Sequence, residues 1–243
     1  MLLDIGLEFK MGIQYNPSIV TDGLVLCLDA ANKRSYPGTG TAWTNLAGNN
    51  NGTLTNGPTF DAANAGAIVL DGSNDYIDLG TPSQLNQIQV PITIIFWAKL
   101  TVAWSSQRTL WGVYKSLSNN EIYSLLRVDG GYIRYFASKA TNTWQFQTSS
   151  LAPSADVWNF YALRVSGSIA SPSVKVFLNE SSESLSFSAL NSTVASDVNF
   201  RIGSAEGGGG SWGGPISTVL WYNVALSDDQ IRQNYEATKG RYQ

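Results

Sequence analysis

Short runs of β-branched and aromatic residues, each closed by Gly, Pro, Asn, Asp or Ser, recur from Leu24 to Asn223. A chain punctuated this often has no room for long helices and buries its apolar side chains as strands. The pattern predicts strands near 24–29, 67–71, 76–79, 92–100, 108–114, 122–128, 132–138, 143–149, 158–166, 173–179, 184–188, 199–203 and 215–223. Ile92-Thr93-Ile94-Ile95-Phe96-Trp97-Ala98-Lys99-Leu100 is β-rich on both alternating faces. Such a strand suits the middle of a sheet whose inner face meets a second sheet. Asp129-Gly130 separates two of the runs and supplies the positive φ angles of a tight hairpin. The stretch 32–60, with Pro37, Gly38, Gly40, Asn51-Gly52 and Asn56-Gly57, reads as a long loop. One helix is expected, over 227–237. Ser227 and Gln230 form a capping box, and Asp228 and Asp229 suit the positive end of the helix dipole. The fold class is therefore all-β with one short C-terminal helix, and 243 residues fit one large sandwich.

Charge and residue usage exclude several functions. Fifteen Lys and Arg stand against 18 Asp and Glu, a net charge of -3 with no basic stripe, so nucleic acid is not an expected partner. The chain has no histidine, which rules out Ser-His-Asp and Cys-His catalysis and His-ligated zinc. Its single cysteine, Cys27, lies in the apolar run Leu24–Leu28 and reads as a small buried hydrophobe. No run approaches the ~18 apolar residues of a membrane-spanning helix, so no membrane insertion is expected. The first residues lack the basic start and long apolar core of a signal peptide, an expectation of synthesis and folding in the cytoplasm. Residues 1–20 read as an N-terminal arm ahead of a domain at 21–243. Ile5, Leu7 and Phe9 alternate as a strand added to another chain's sheet edge requires.

Candidate chemistry is limited to acids and aromatic rings. Glu180 and Glu183 are close in sequence but lie in a Ser-rich stretch read as a solvated turn, so no catalytic residue and no enzymatic activity are expected. Asp71, Asn74 and Asp75 form one oxygen-rich cluster, and Asn119 and Glu121 a second, either of which could supply calcium ligands. Asp-Gly-Ser-Asn-Asp is equally an ordinary turn, in which the side chains bond their own backbone, and both readings stay open. Calcium is the one cofactor considered. Trp43, Trp104, Trp144 and Trp212 fall near strand ends or loops, where an indole could stack on a sugar ring or pack beneath the loop. Trp97, Trp111, Trp158 and Trp221 sit inside strand patterns.

Three segments resemble laminin-G-like and pentraxin-like domains of the concanavalin-A-like superfamily: Ile68–Leu79 with its Asp71-Gly72-Ser73-Asn74-Asp75 turn, Ile92–Trp97, and Phe200–Gly203 followed by Trp212–Asn223 and Ala225–Ile231. Gln230 stands where that family usually has Glu, and Pro215 where it often has a β-branched or charged residue. The resemblance implies a jelly-roll sandwich of two antiparallel sheets, with first and last strands adjacent, that binds glycans or proteins. Asn119-Asn120-Glu121 resembles a calcium-ligand stretch of pentraxins. The opening Asp22–Asn32, with Arg34–Gly38, is similar to structural proteins of tailed bacteriophages. That implies a capsid-decoration or tail-associated protein of a virion, homo-oligomeric or lattice-bound, with capsid or tail proteins and host-surface glycans as partners. The alternative is a stand-alone carbohydrate-binding lectin. A glycoside hydrolase is remote, because the family's hydrolase pattern E-x-D-x-x-E is absent.

Overall fold

The structure, a computed structural model, describes residues 17–63, 66–81, 90–102, 107–116, 121–138, 144–190, 199–204 and 210–242, the side chains of 114–116, 121–123 and 144 excepted. The strands are β1 (Leu24–Asp29), β2 (Ala42–Trp43), β3 (Gly52–Thr55), β4 (Thr59–Asp61), β5 (Ala67–Asp71), β6 (Tyr76–Asp78), β7 (Ile92–Lys99) and β8 (Arg108–Ser116). They continue as β9 (Glu121–Asp129), β10 (Tyr132–Ser138), β11 (Trp144–Thr148), β12 (Trp158–Gly167), β13 (Pro172–Leu178), β14 (Ser181–Leu185), β15 (Phe200–Ile202) and β16 (Gly213–Tyr222). Helix α1 spans Asp228–Thr238, and a 3-10 turn covers Lys239–Arg241.

Two eight-stranded sheets result. One runs β14-β13-β12-β7-β16-β5-β4, with β1 also on β16; the other runs β11-β10-β9-β8-β15-β6-β3-β2. Strand β16 is long enough to hold β5 through Gly213–Ile216 and, end to end with it, β1 through Thr218–Tyr222. First and last strands are thus adjacent, as the resemblance implies. Between these partners, Ser217 accepts the Ala30 N–H at its carbonyl and donates its hydroxyl to Gly66 O.

The core lies between the sheets, and alternation decides which side chains enter it. Ile94, Phe96 and Ala98 of β7 join Trp111, Leu126, Tyr135, Leu163 and Trp221 there. Their neighbours Ile95 and Trp97 point the other way, into a second cluster with Phe160, Leu220, Ile231 and Tyr235. Helix α1 covers that outer face, which explains why β7 is apolar on both sides. Trp97 donates its indole N–H to Thr238 Oγ1 and stacks against Tyr242 at 4.3 Å. Cys27 is buried, as expected, and burial pushes its thiol up to about 11.

The helix carries the expected capping box, with Ser227 Oγ accepting the Gln230 N–H and Gln230 Oε1 accepting the Ser227 N–H. In the hairpin after Asp129, the positive-φ positions are Gly130 (φ 59°) and Gly131 (φ 86°), one residue later than Asp129-Gly130 indicated. Three readings need correction. The stretch 32–60 is not simply a loop but contains β2, β3 and β4. Tertiary bonds such as Thr44 N–H to Ser35 O and Leu54 N–H to Thr41 O recruit it despite its turn-rich composition. Glu183 lies in β14, not in a turn, because Ser182 to Ser184 pair with Lys175 to Phe177. The arm boundary at residue 20 is also too late. Val20 is buried, donates to Asn234 Oδ1 and accepts from the Tyr222 hydroxyl, so 17–20 pack on their own domain.

Candidate functional site

The large hydrophobic side chains left exposed are Leu46, Tyr132, Phe146, Val157 and Ile169 among the described residues. The two aromatic ones lie on one face. Tyr132, Arg134 and Phe136 are alternate residues of β10 and share the outer face of their sheet, because Ile133, Tyr135 and Ala137 fill the core. Register places Arg134 between Arg127 of β9 and Thr148 of β11, and Phe136 between Leu125 and Phe146. Tyr132 pairs with Asp129 at the hairpin end.

One carboxylate organises this surface. Asp129 Oδ2 accepts Arg134 Nη1 at 2.6 Å and Arg127 Nη2 at 3.1 Å. Arg127 Nη1 reaches Gln107 Oε1, and Arg134 Nε donates to Thr148 Oγ1 at 2.8 Å. Each guanidinium also lies over a ring: Arg127 is 4.2 Å from the Phe136 centroid and Arg134 5.1 Å from that of Phe146. The two rings stack at 5.1 Å. Phe136 is buried in this arrangement, whereas Tyr132 keeps 46% and Phe146 43% of its surface exposed. Side chains held by salt bridge, hydrogen bond and ring contact lose little further entropy on binding, which favours recognition. Exposed rings beside fixed donors make a surface that can take the apolar face of a sugar and its polar edge together.

The residues singled out in the sequence lie elsewhere. Trp43 and Trp212 are each 0% exposed, which corrects their reading as a sugar platform. Trp43 turns from β2 into the core, and Trp212 meets Tyr161 edge-to-face at 5.9 Å. Both large rings gain more from burial than a loop position indicates. Trp104 and the arm residues Ile5, Leu7 and Phe9 lie outside the described residues. Trp144 begins β11 opposite Ser138, and its side chain lies outside the description.

The acidic turn satisfies itself. Asp71 Oδ1 accepts the N–H groups of Ser73 at 2.8 Å, Asn74 at 3.1 Å and Asp75 at 3.3 Å, while Asp75 Oδ2 accepts that of Asp71. These backbone donors, Ser73 first, hold the Asp71 carboxyl below its ordinary value, and burial raises that of Asp75. Asn74 contributes its carbonyl to Asn56 Nδ2. Asn119 lies outside the described residues, as does the Glu121 side chain, while the Glu121 backbone pairs with Ser116. Among the described residues no three acidic or thiol groups converge on one point. Glu183 Oε2 accepts both the N–H and the hydroxyl of Ser150, which ties β14 to the segment that follows β11.

Tyr132, Arg134 and Phe146 do not stand out in the sequence as site residues. The available signal was the period-two series Tyr132, Arg134, Phe136 directly after a Gly-Gly hairpin, which looked like an ordinary strand.

A laminin-G-type family model, described as the concanavalin A-like lectin/glucanases superfamily, matches residues 71–232. No curated protein matches the chain. Among solved structures, the binding domain of Paraclostridial mosquitocidal protein 1 superposes with a TM-score of 0.69 at 14% identity, over 88% of this chain and 52% of that one. The receptor-binding domain of botulinum neurotoxin C/D mosaic serotype gives 0.63 at 16% identity, over 89% and 52%. Trypanosoma rangeli sialidase in complex with sialic acid gives 0.64 at 14% identity, over 90% and 33%. The chain therefore spans a third to a half of these structures, and the likeness is one of fold. With both sheets, the adjoining first and last strands and the capped helix in place, the chain belongs to the concanavalin A-like lectin/glucanase superfamily.

Proposed function

We propose that this protein is a non-enzymatic, glycan-binding sandwich that serves as a structural component of a tailed-bacteriophage particle, on the capsid surface or the tail. The observation that carries the glycan-binding reading is the outer face of β9, β10 and β11, where Tyr132 and Phe146 stand exposed beside Arg134. Two structures of the same fold are a binding domain and a receptor-binding domain, which supports a recognition role. The sialidase neighbour does not move the reading towards catalysis, since the matched stretch is only 33% of that chain. The virion role rests on the opening segment's similarity to phage structural proteins. Its partners are capsid or tail proteins, with copies of the chain arranged as oligomers or on a lattice.

An array of oligosaccharides probed with the pure protein tests the first part. Binding that disappears in Tyr132→Ala/Phe146→Ala, with the urea midpoint unchanged, supports it; no binding to any glycan overturns it. Reducing-sugar release by the pure protein overturns the non-enzymatic reading. Mass spectrometry of purified particles decides whether the chain is a virion component.

A further inference from the structure

The other sheet carries a cleft between the β13–β14 hairpin and the first two turns of α1, with a volume of about 340 Å³. Small-molecule sites fall in the range ~300–1,000 Å³. Asp228, Ile231, Arg232 and Tyr235 follow the i, i+3, i+4, i+7 spacing of one helix face and form one wall. Phe177 and Ser182 belong to the hairpin wall; they are cross-strand partners and lie on the outer side of the sheet. The floor is apolar, since Phe177, Ile231 and Tyr235 are all buried in the outer cluster. Both walls are fixed. Asp228 accepts Lys175 and Arg164, each at 2.6 Å, and Asn179 in the hairpin turn accepts the Phe160 N–H at 2.9 Å.

Charge on and around the cleft balances. Asp229 is bonded to Arg232 and Glu236 to Lys239, so with Asp228 and Glu180 four acids meet four bases. Two polar groups are left over: the Glu180 carboxylate and the Tyr235 hydroxyl have no hydrogen-bond partner among the described residues. The Tyr235 ring is held by Trp97 and Phe160, and the residue is only 9% exposed. Burial, and after it the charge of Glu180, raises its hydroxyl above the ordinary value.

We infer that this cleft binds a neutral saccharide unit, whose ring hydroxyls bond Glu180 and Tyr235 while its apolar face lies over Phe177 and Ile231. The inference goes beyond the glycan-binding reading of β9, β10 and β11, because the cleft lies on the other sheet and shares no residue with that face. A sugar hydroxyl both donates and accepts, so one uncharged ligand serves Glu180, Tyr235 and the Arg232 donors together. A carboxylate in the cleft would face Glu180 itself, and an ammonium would face Arg232. A hydrogen bond to a carboxylate is roughly twice as strong as a neutral one, and walls already fixed lose little freedom on binding.

The test is an array in which neutral saccharides are each printed beside their uronate and 2-amino counterparts, scored glycan by glycan. At least one neutral saccharide is expected to bind no more weakly than its charged counterparts, and to bind Tyr132→Ala/Phe146→Ala as well as the unaltered chain. Glu180→Ala should weaken it roughly tenfold, the worth of one hydrogen bond to a charged group. Ser182→Phe, at an exposed position on the rim, should block it. Amide shifts of the unaltered chain on adding that saccharide should centre on Glu180, Ser182 and Arg232, a readout that needs no variant. Shifts confined to Tyr132–Ser138, or saccharide binding that vanishes altogether in Tyr132→Ala/Phe146→Ala, overturn this inference and leave the glycan-binding reading standing. A cleft that prefers the charged counterparts also overturns it. Binding lost only in the cleft variants upholds it and removes the sheet face as a glycan site. No binding to any saccharide overturns both.

Discussion

Arg241, in the last turn of the described chain, grips Asp29 at the end of β1 with two parallel hydrogen bonds, Nη1 to Oδ1 and Nη2 to Oδ2, both 2.8 Å. Beside it the Tyr242 hydroxyl meets Ser217 Oγ and Thr218 Oγ1, each at 3.0 Å. The C-terminal segment is thus fastened across β1 and β16, over the aromatic cluster around Trp97.

This fork predicts a stability effect. Arg241→Ala leaves Asp29, with only 13% of its side chain exposed, short of its main partner. Because Arg241 itself is about a third exposed, solvent screening lowers the cost to about 1 kcal/mol. Arg241→Lys should recover less than half, since an ammonium cannot match both oxygens. Urea denaturation measures both, and an unchanged midpoint for Arg241→Ala would show that the fork contributes nothing.

Asp228 predicts a pH dependence. Lys175 and then Arg164 hold its carboxyl below its ordinary value of 3.8. A group whose folded pKa is depressed stabilises fully above its unfolded pKa, and the contribution is lost as pH falls through the folded value. Asp228→Asn should therefore be less stable than the parent at neutral pH, and the gap should close in acid well below ~3.9. The effect is modest, because 53% of the Asp228 side chain is exposed. A gap of constant size from neutral pH into acid is the contrary result.

The Asp71 turn predicts indifference to calcium. With Oδ1 already taking three backbone donors, the loop is satisfied without a cation. Millimolar calcium or a chelator should leave the thermal midpoint where it is, whereas a ligand at a hundred times its Kd would add about 2.7 kcal/mol. Asp71→Ala should cost about 1 kcal/mol, and Asp71→Asn less, since its amide oxygen still accepts.

Trp43 predicts a purely structural phenotype. Removing this fully buried indole should cost about 3–5 kcal/mol. The glycan binding proposed above, measured per folded molecule, should stay the same. A Trp43→Ala protein of normal stability that has lost binding would restore the indole as a ligand platform.

The long strands were legible because their physics is local. The runs at β7, β12 and β16 announce themselves by β-branched and aromatic residues, and Ser227 with Gln230 announces α1 through a bond three residues apart. Strands β2, β3 and β4 carried no such signal: they are two to four residues long and form only because β6 offers a partner to β3, β5 to β4, and β3 in turn to β2. The candidate site was less legible still. A tryptophan near a turn reads as available, yet whether it faces solvent depends on which way its short strand pairs, and Trp43 and Trp212 both face inwards.

Composition, alternation and turn residues by themselves determined that this chain is an all-β sandwich with a capped terminal helix and no histidine chemistry. Only the tertiary structure decided that α1 covers one outer sheet face and that Arg127, Asp129, Arg134 and Phe146 meet on another. Those four come from three strands joined by register, and a cross-strand neighbour is a property of pairing, which no single segment encodes.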